Sequence, residues 1–172
     1  MKILILTMNI KGGIVHYVSQ LANALAEEND VVVIAPIGVD QNTFSEKVRL
    51  IELPLGNVIK NFLVNTLVIT RILNFIKTVR TEKPDVIHIQ GPGLWWVLSL
   101  PYLSRYPLVC TIHDVHPHVG SRKFDQIIGQ KCIVHNSNDI IVHGEFAKKE
   151  LLMKHPNLGG RCHVIPHGDF SF

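Results

Sequence analysis

The densest polar cluster in this 172-residue chain is His113-Asp114-Val115-His116-Pro117-His118. Imidazoles and a carboxylate are competent metal ligands. Their spacing, however, follows no standard zinc pattern, and no cysteine stands near them. No metal is therefore expected there. Two other readings of His113 stay open. It closes an apolar run, Leu108 to Ile112, so a neutral or protonated imidazole there can hydrogen-bond a substrate hydroxyl or phosphate. It can equally be a loop histidine that pairs with its own backbone. His88, between Ile87 and Ile89, reads as a satisfied core histidine rather than a ligand. The chain has no G-x-S-x-G, no Cys–His arrangement and no prominent pair of carboxylates, which removes covalent and two-carboxylate hydrolytic chemistry.

A second candidate is Gly12-Gly13. The apolar run Ile3 to Leu6 suits a strand buried on both faces. After the glycines, Ile14, Tyr17, Val18, Leu21, Ala22 and Leu25 recur at helical spacing. A strand entering a helix through a glycine turn leaves unpaired N–H groups beyond the strand's carboxyl end, a place for a phosphate or carboxylate. Glycines allow such an anion a close approach, although they serve a tight turn equally well. The loop lacks G-x-G-x-x-G spacing, and the following strand V-V-V-I-A-P ends without an acidic residue for a ribose hydroxyl. A nicotinamide dehydrogenase is thereby disfavoured, and a P-loop is absent.

Composition bounds the rest. Hydrophobic residues make up 47% and charged residues 18%, enough to build one sizeable core. The net charge of +3 is too small to imply a nucleic-acid partner. Cys110, Cys132 and Cys162 lie far apart without C-x-x-C, as reduced cytosolic thiols do. No secretory signal or membrane-span length is present, so a cytoplasmic protein is expected.

Along the chain, strands are expected at Ile3–Leu6, Val31–Ala35, Val48–Leu53 (near a sheet edge), Val86–Gln90, Leu108–Ile112, Asp139–Val142 and His163–Ile165. Helices should cover Ile14–Leu25, Val58–Thr81, Leu94–Ser104, Lys123–His135 and Glu145–Lys154. The helix over Val58–Thr81 carries Lys60, Arg71, Lys77 and Arg80 among apolar residues. It reads as cover for a sheet face, with peripheral contact to anionic lipid as the alternative. Adjacent Trp95 and Trp96 should not both face one core, so one belongs at a surface or cleft. This alternation with short connections predicts an α/β fold, a doubly wound, Rossmann-like parallel sheet of about seven strands. Ligands of such sheets bind beyond the strands' carboxyl ends. Gly12-Gly13, Gln90-Gly91, His113 to His118 and Pro166-His167-Gly168 should converge on that rim.

Taken in order, K-I-L-I-L with G-G and L-A-N-A-L-A, V-V-V-I-A-P, K-P-D-V-I-H-I-Q-G-P, V-C-T-I-H-D-V-H-P, N-D-I-I-V-H-G-E-F-A-K-K-E-L and V-I-P-H-G-D-F resemble the N-terminal half of GT-B glycosyltransferases of family 4. The resemblance implies an acceptor-side domain facing a separate donor domain, and transfer with retention from a nucleotide-diphosphate sugar. That sugar is a co-substrate, and no metal or other cofactor is implied. Gly12 and Gly13 take the place of the loop whose N–H groups lie near the donor diphosphate. His113 takes that of the histidine beside the transferring sugar, and Asp114, His116, Gln90 and His16 fall on the acceptor side. Gln90 stands where the family often has a second histidine, and Gly144 where it commonly has serine. Residues 1–165 are expected to form the domain and 166–172 to begin an interdomain linker. The donor domain would then be supplied in cis or in trans, and this chain alone would be inactive. A non-catalytic binding module and half of a sugar-nucleotide epimerase are the alternatives, and the acceptor can be a sugar or a lipid-linked molecule.

Overall fold

The structure is a computed structural model that describes residues 1–55, 65–116 and 123–168. Seven strands form one sheet: β1 (Lys2–Thr7), β2 (Asp30–Pro36), β3 (Arg49–Leu53), β4 (Val86–Gln90), β5 (Leu108–Thr111), β6 (Asp139–Val142) and β7 (Cys162–Val164). Every pairing is parallel, and the spatial order is β3-β2-β1-β4-β5-β6-β7. This is the expected doubly wound α/β sheet, with β3 at an edge and the chain reversing direction between β1 and β4. The helices are α1 (Gly13–Leu25), α2 (Asn65–Glu82), α3 (Leu94–Leu103), α4 (Lys123–Asn136) and α5 (Glu145–Lys154). The expected start of the second helix, from Val58 to Val64, lies outside the described residues, as do Pro117 and His118.

Strand alternation divides the interior into two cores. Ile3, Ile5, Val31 and Val33 point toward α1 and pack with Val15, Val18 and Ala22. Leu4, Leu6, Ile87, Ile89, Leu108 and Cys110 point the other way, into a larger core that holds Phe75, Trp95, Trp96, Ile133 and Leu151. Both tryptophans are buried, at 2% and 0% exposure, which corrects the expectation of one at a surface. The reason is α3's position over the sheet and between α2 and α4. A helix enclosed on several sides buries residues around its circumference. Trp96 meets Phe75 of α2 at 5.6 Å between ring centroids.

Opposite the candidate rim, an ion-paired cluster ties β1, β3 and α2 together. Glu82, nearly buried, receives Arg49 through both guanidinium nitrogens and Lys2 at 3.1 Å. The Arg49 hydrogen bond, reinforced by Lys2, holds its carboxyl below the usual glutamate range. All three cysteines are free thiols. Among the described residues, no helix is long and apolar enough to cross a membrane.

Candidate functional site

Register explains why the site lies where it does. Thr7 pairs with Gln90, Gln90 with Thr111, and Thr111 with Ile141, so the strands end level. Partners in a parallel ladder share a face, and side chains alternate along each strand. His88, Gln90 and Thr111 therefore point to the α1 side, just below the rim, and His113 follows two residues after Thr111.

These side chains form one hydrogen-bonded chain. The amide nitrogen of Gln90 donates to His88 Nε2 at 3.2 Å, and the Thr111 hydroxyl reaches that same nitrogen at 2.8 Å. An amide N–H can only donate, so His88 Nε2 is the acceptor and its proton sits on Nδ1. The Gln90 carbonyl oxygen accepts from His113 Nε2 at 3.2 Å, which leaves His113 Nδ1 with the lone pair. Burial, and secondarily the nearby His113, lowers the His88 pKa to about 4. Burial also lowers that of His113 to about 4, aided by His143 and His167 and opposed by Asp114. Both rings are neutral near pH 7. His88 is thus a satisfied core histidine, as its sequence position suggested.

Beside this chain lies a cavity of about 300 Å³ lined by Met8, Ile14, Gln90, His113, Asp114 and Gln130, among others. Of the residues singled out in the sequence, Gln90, His113 and Asp114 line it. Gln90 nonetheless uses both ends of its amide on neighbouring histidines, so it positions His113. His116 lines the cavity too, but its ring is strapped to α5: Nε2 donates to Glu150 at 2.8 Å, and Nδ1 accepts from Lys154 at 3.1 Å. Gly12 caps α1 with φ 89, a left-handed conformation that favours glycine, and no side chain caps the helix N-terminus. Ile14, in the first turn of α1, lines the cavity. Among the described residues, His16 does not. On a helix of 3.6 residues per turn it stands roughly 200° round from Ile14.

Residues that sequence reading passed over complete the site. Gln130 of α4 is buried at 8% exposure, and its amide nitrogen has no hydrogen-bond partner among the described residues. It therefore offers a donor to an oxygen in the cavity. A polar residue three and four positions before buried Ile133 and Val134 is the signal that marks it.

His143 is the other omission. Its ring and that of His167 lie 3.8 Å apart between centroids, and His113 is 5.1 Å from His143. Tyr17 of α1 presents its ring edge-on or face-on to all three, at 5.0, 5.0 and 5.2 Å. Burial raises the Tyr17 pKa, against the effect of a hydrogen bond with Thr111. One nitrogen from each histidine lies within 4.8 Å of the other two, close enough to share one cation. The convergence of Gln90, His113 and His167 on one rim is as expected; the arrival of His143 is new.

Three comparisons bear on this geometry. The profile of glycosyltransferase family 4 matches residues 11–168. A search of curated proteins by sequence finds no match. Among solved structures, the UDP-GlcNAc 2-epimerase of Methanocaldococcus jannaschii superposes with TM-score 0.68 at 19% identity, over 96% of this chain and 45% of that one. The sucrose-phosphate synthase of Thermosynechococcus elongatus gives 0.69 at 19%, over 98% and 48%. Anabaena HepE, solved in complex with UDP-glucose, gives 0.66 at 17%, over 98% and 44%. At these identities the likeness is one of fold. This chain spans less than half the length of each.

Proposed function

The chain belongs to glycosyltransferase family 4, and from that premise we propose that it is the acceptor-side unit of a retaining, metal-independent glycosyltransferase using a UDP-sugar. The observation that carries this reading is the cavity lined by Gln90, His113 and Gln130 beyond the strands' carboxyl ends, within the residues that match the family. The choice of UDP is supported by a fold neighbour solved with UDP-glucose.

In this reading the neutral His113 accepts a sugar hydroxyl's hydrogen bond at Nδ1, with its other nitrogen fixed on Gln90. Asp114 and Gln130 hold acceptor or sugar oxygens. The N–H groups around Gly12 and Gly13 meet the donor diphosphate, whose charge grows as it leaves. Most of the leaving group's stabilisation falls to a second, donor-binding unit. Support for such a unit comes from the α1 side of the sheet, where Val109 and Ile141 are only partly buried and Ile165 is 49% exposed. Family membership favours transfer over the epimerase and non-catalytic alternatives.

The acceptor is proposed to be lipid-linked. Ile69 and Leu73 of α2 are 58% and 59% exposed and share a helix face with exposed Lys77 and Arg80. An apolar stripe beside cations suits the interface of an anionic bilayer.

The test is transfer from UDP-sugars by the 172-residue chain alone. Binding without turnover is expected. Robust turnover with no added protein would overturn the requirement for a second unit.

A further inference from the structure

We propose that His113, His143 and His167 form a three-imidazole site for a divalent transition-metal ion of the zinc class, with an open fourth position for water. Its case stands on its own geometry and not on the transfer reading above. Neighbouring strands β5, β6 and β7 each deliver one histidine from the carboxyl end. One nitrogen of each lies within 4.8 Å of the others.

Three further observations point to a cation. First, His143 Nδ1 donates to the Ile165 carbonyl at 2.9 Å, which fixes the lone pair on Nε2. Metal-binding histidines are commonly oriented in this way, by giving their other N–H to a backbone carbonyl. Second, that Nε2 is shielded from solvent and has no hydrogen-bond partner among the described residues, a costly arrangement for an acceptor with nothing to accept from. Third, His113 repeats the device, with Nε2–H on the Gln90 oxygen at 3.2 Å and the lone pair left on Nδ1.

An all-imidazole set suits zinc, cobalt, nickel or copper and not magnesium or calcium, which prefer oxygen. A tetrahedral ion with metal–nitrogen bonds of about 2.0–2.1 Å holds its donors roughly 3.4 Å apart. Binding therefore requires rearrangement: the His143 and His167 rings, 3.8 Å apart between centroids, must splay, while His113 and His167, 6.2 Å apart, must draw closer. An ion held here occupies the His113 lone pair, so it excludes a sugar hydroxyl from that atom. The two occupants compete.

The test is titration of the tag-free chain with Zn²⁺ by calorimetry and with Co²⁺ by visible absorption. One equivalent should bind, and Co²⁺ should show the intense bands of a four-coordinate site. His167→Ala, which removes an exposed side chain, should weaken binding at least about tenfold and abolish those bands. His143→Gln should do the same, while His163→Ala, at an exposed histidine paired with Asp139, should change nothing. Circular dichroism melts verify that each variant is folded. Absence of saturable Co²⁺ binding would overturn the site, as would binding by folded His167→Ala and His143→Gln equal to that of the parent. The latter result would place the metal elsewhere, such as on His116 and Glu150.

Discussion

Gln90 Oε1 lies 3.2 Å from His113 Nε2, and that contact decides which nitrogen of His113 keeps its lone pair. Because the same amide donates to His88, one buried glutamine sets the tautomers of two histidines. Gln90→Ala should cost about 1–3 kcal/mol of stability through the unsatisfied partners it leaves. It should also release His113 into a mixture of tautomers. Nitrogen-15 histidine spectra check this: a single Nε2–H form in the parent and both forms in the variant. Unchanged spectra would mean that Gln90 does not position the ring.

His88 makes stability depend on pH. It is neutral in the fold, with its pKa lowered to about 4 by burial, whereas in the unfolded chain it titrates near 6.5. Between those values the unfolded state binds the extra proton. His88 therefore costs nothing above about pH 7, and stability falls as pH drops toward 4, by about 3 kcal/mol in all. Urea unfolding at pH 7.5 and 4.5 should show that loss together with the parallel one from His113, whose pKa burial also lowers to about 4, and His88→Gln should remove the His88 share while leaving that of His113. Equal slopes in both proteins would refute the assignment.

Gly12 and Gly13 separate a turn's needs from a ligand's. Gly12 has φ 89, and a Cβ at either glycine would meet nothing within 4 Å. Gly12→Ala should thus cost about 1–2 kcal/mol through backbone strain alone. Gly13→Ala, inside α1, should leave the melting temperature unchanged or slightly raised. If a diphosphate passes over Gly13, that variant should nonetheless bind UDP several-fold more weakly. Unaltered UDP affinity would return both glycines to the role of a tight turn.

Trp96, fully buried against Phe75, carries packing and not recognition. Trp96→Ala should cost about 3–5 kcal/mol in chemical denaturation while the affinity for UDP at low temperature stays the same. Reduced affinity in the folded variant would place the ring in the site.

Much of this was legible in the sequence because buried parallel strands write themselves plainly. V-V-V-I-A-P and L-V-C-T-I are uninterrupted apolar runs, and Ile14 to Leu25 keeps helical spacing. The strand ends then place Gln90, His113 and His167 on one rim. The burial of both tryptophans is not legible in the sequence, because one helix's period does not reveal how many neighbours enclose it. The meeting of His143 and His167 was hidden for a similar reason. They approach through the register of β6 with β7, and no linear spacing records that. His16 was carried onto the acceptor side by resemblance, and the turn of α1 takes it away from the cavity.

The most direct measurement is an amide-detected NMR titration of this chain with UDP, UDP-sugars and candidate acceptors. Shifts should cluster at Gly12, Gly13, Gln90, His113 and Gln130, weakened by His113→Ala without change elsewhere in the spectrum. Shifts confined to other surfaces, or a response to UDP-sugars unaffected by His113→Ala, would contradict this assignment.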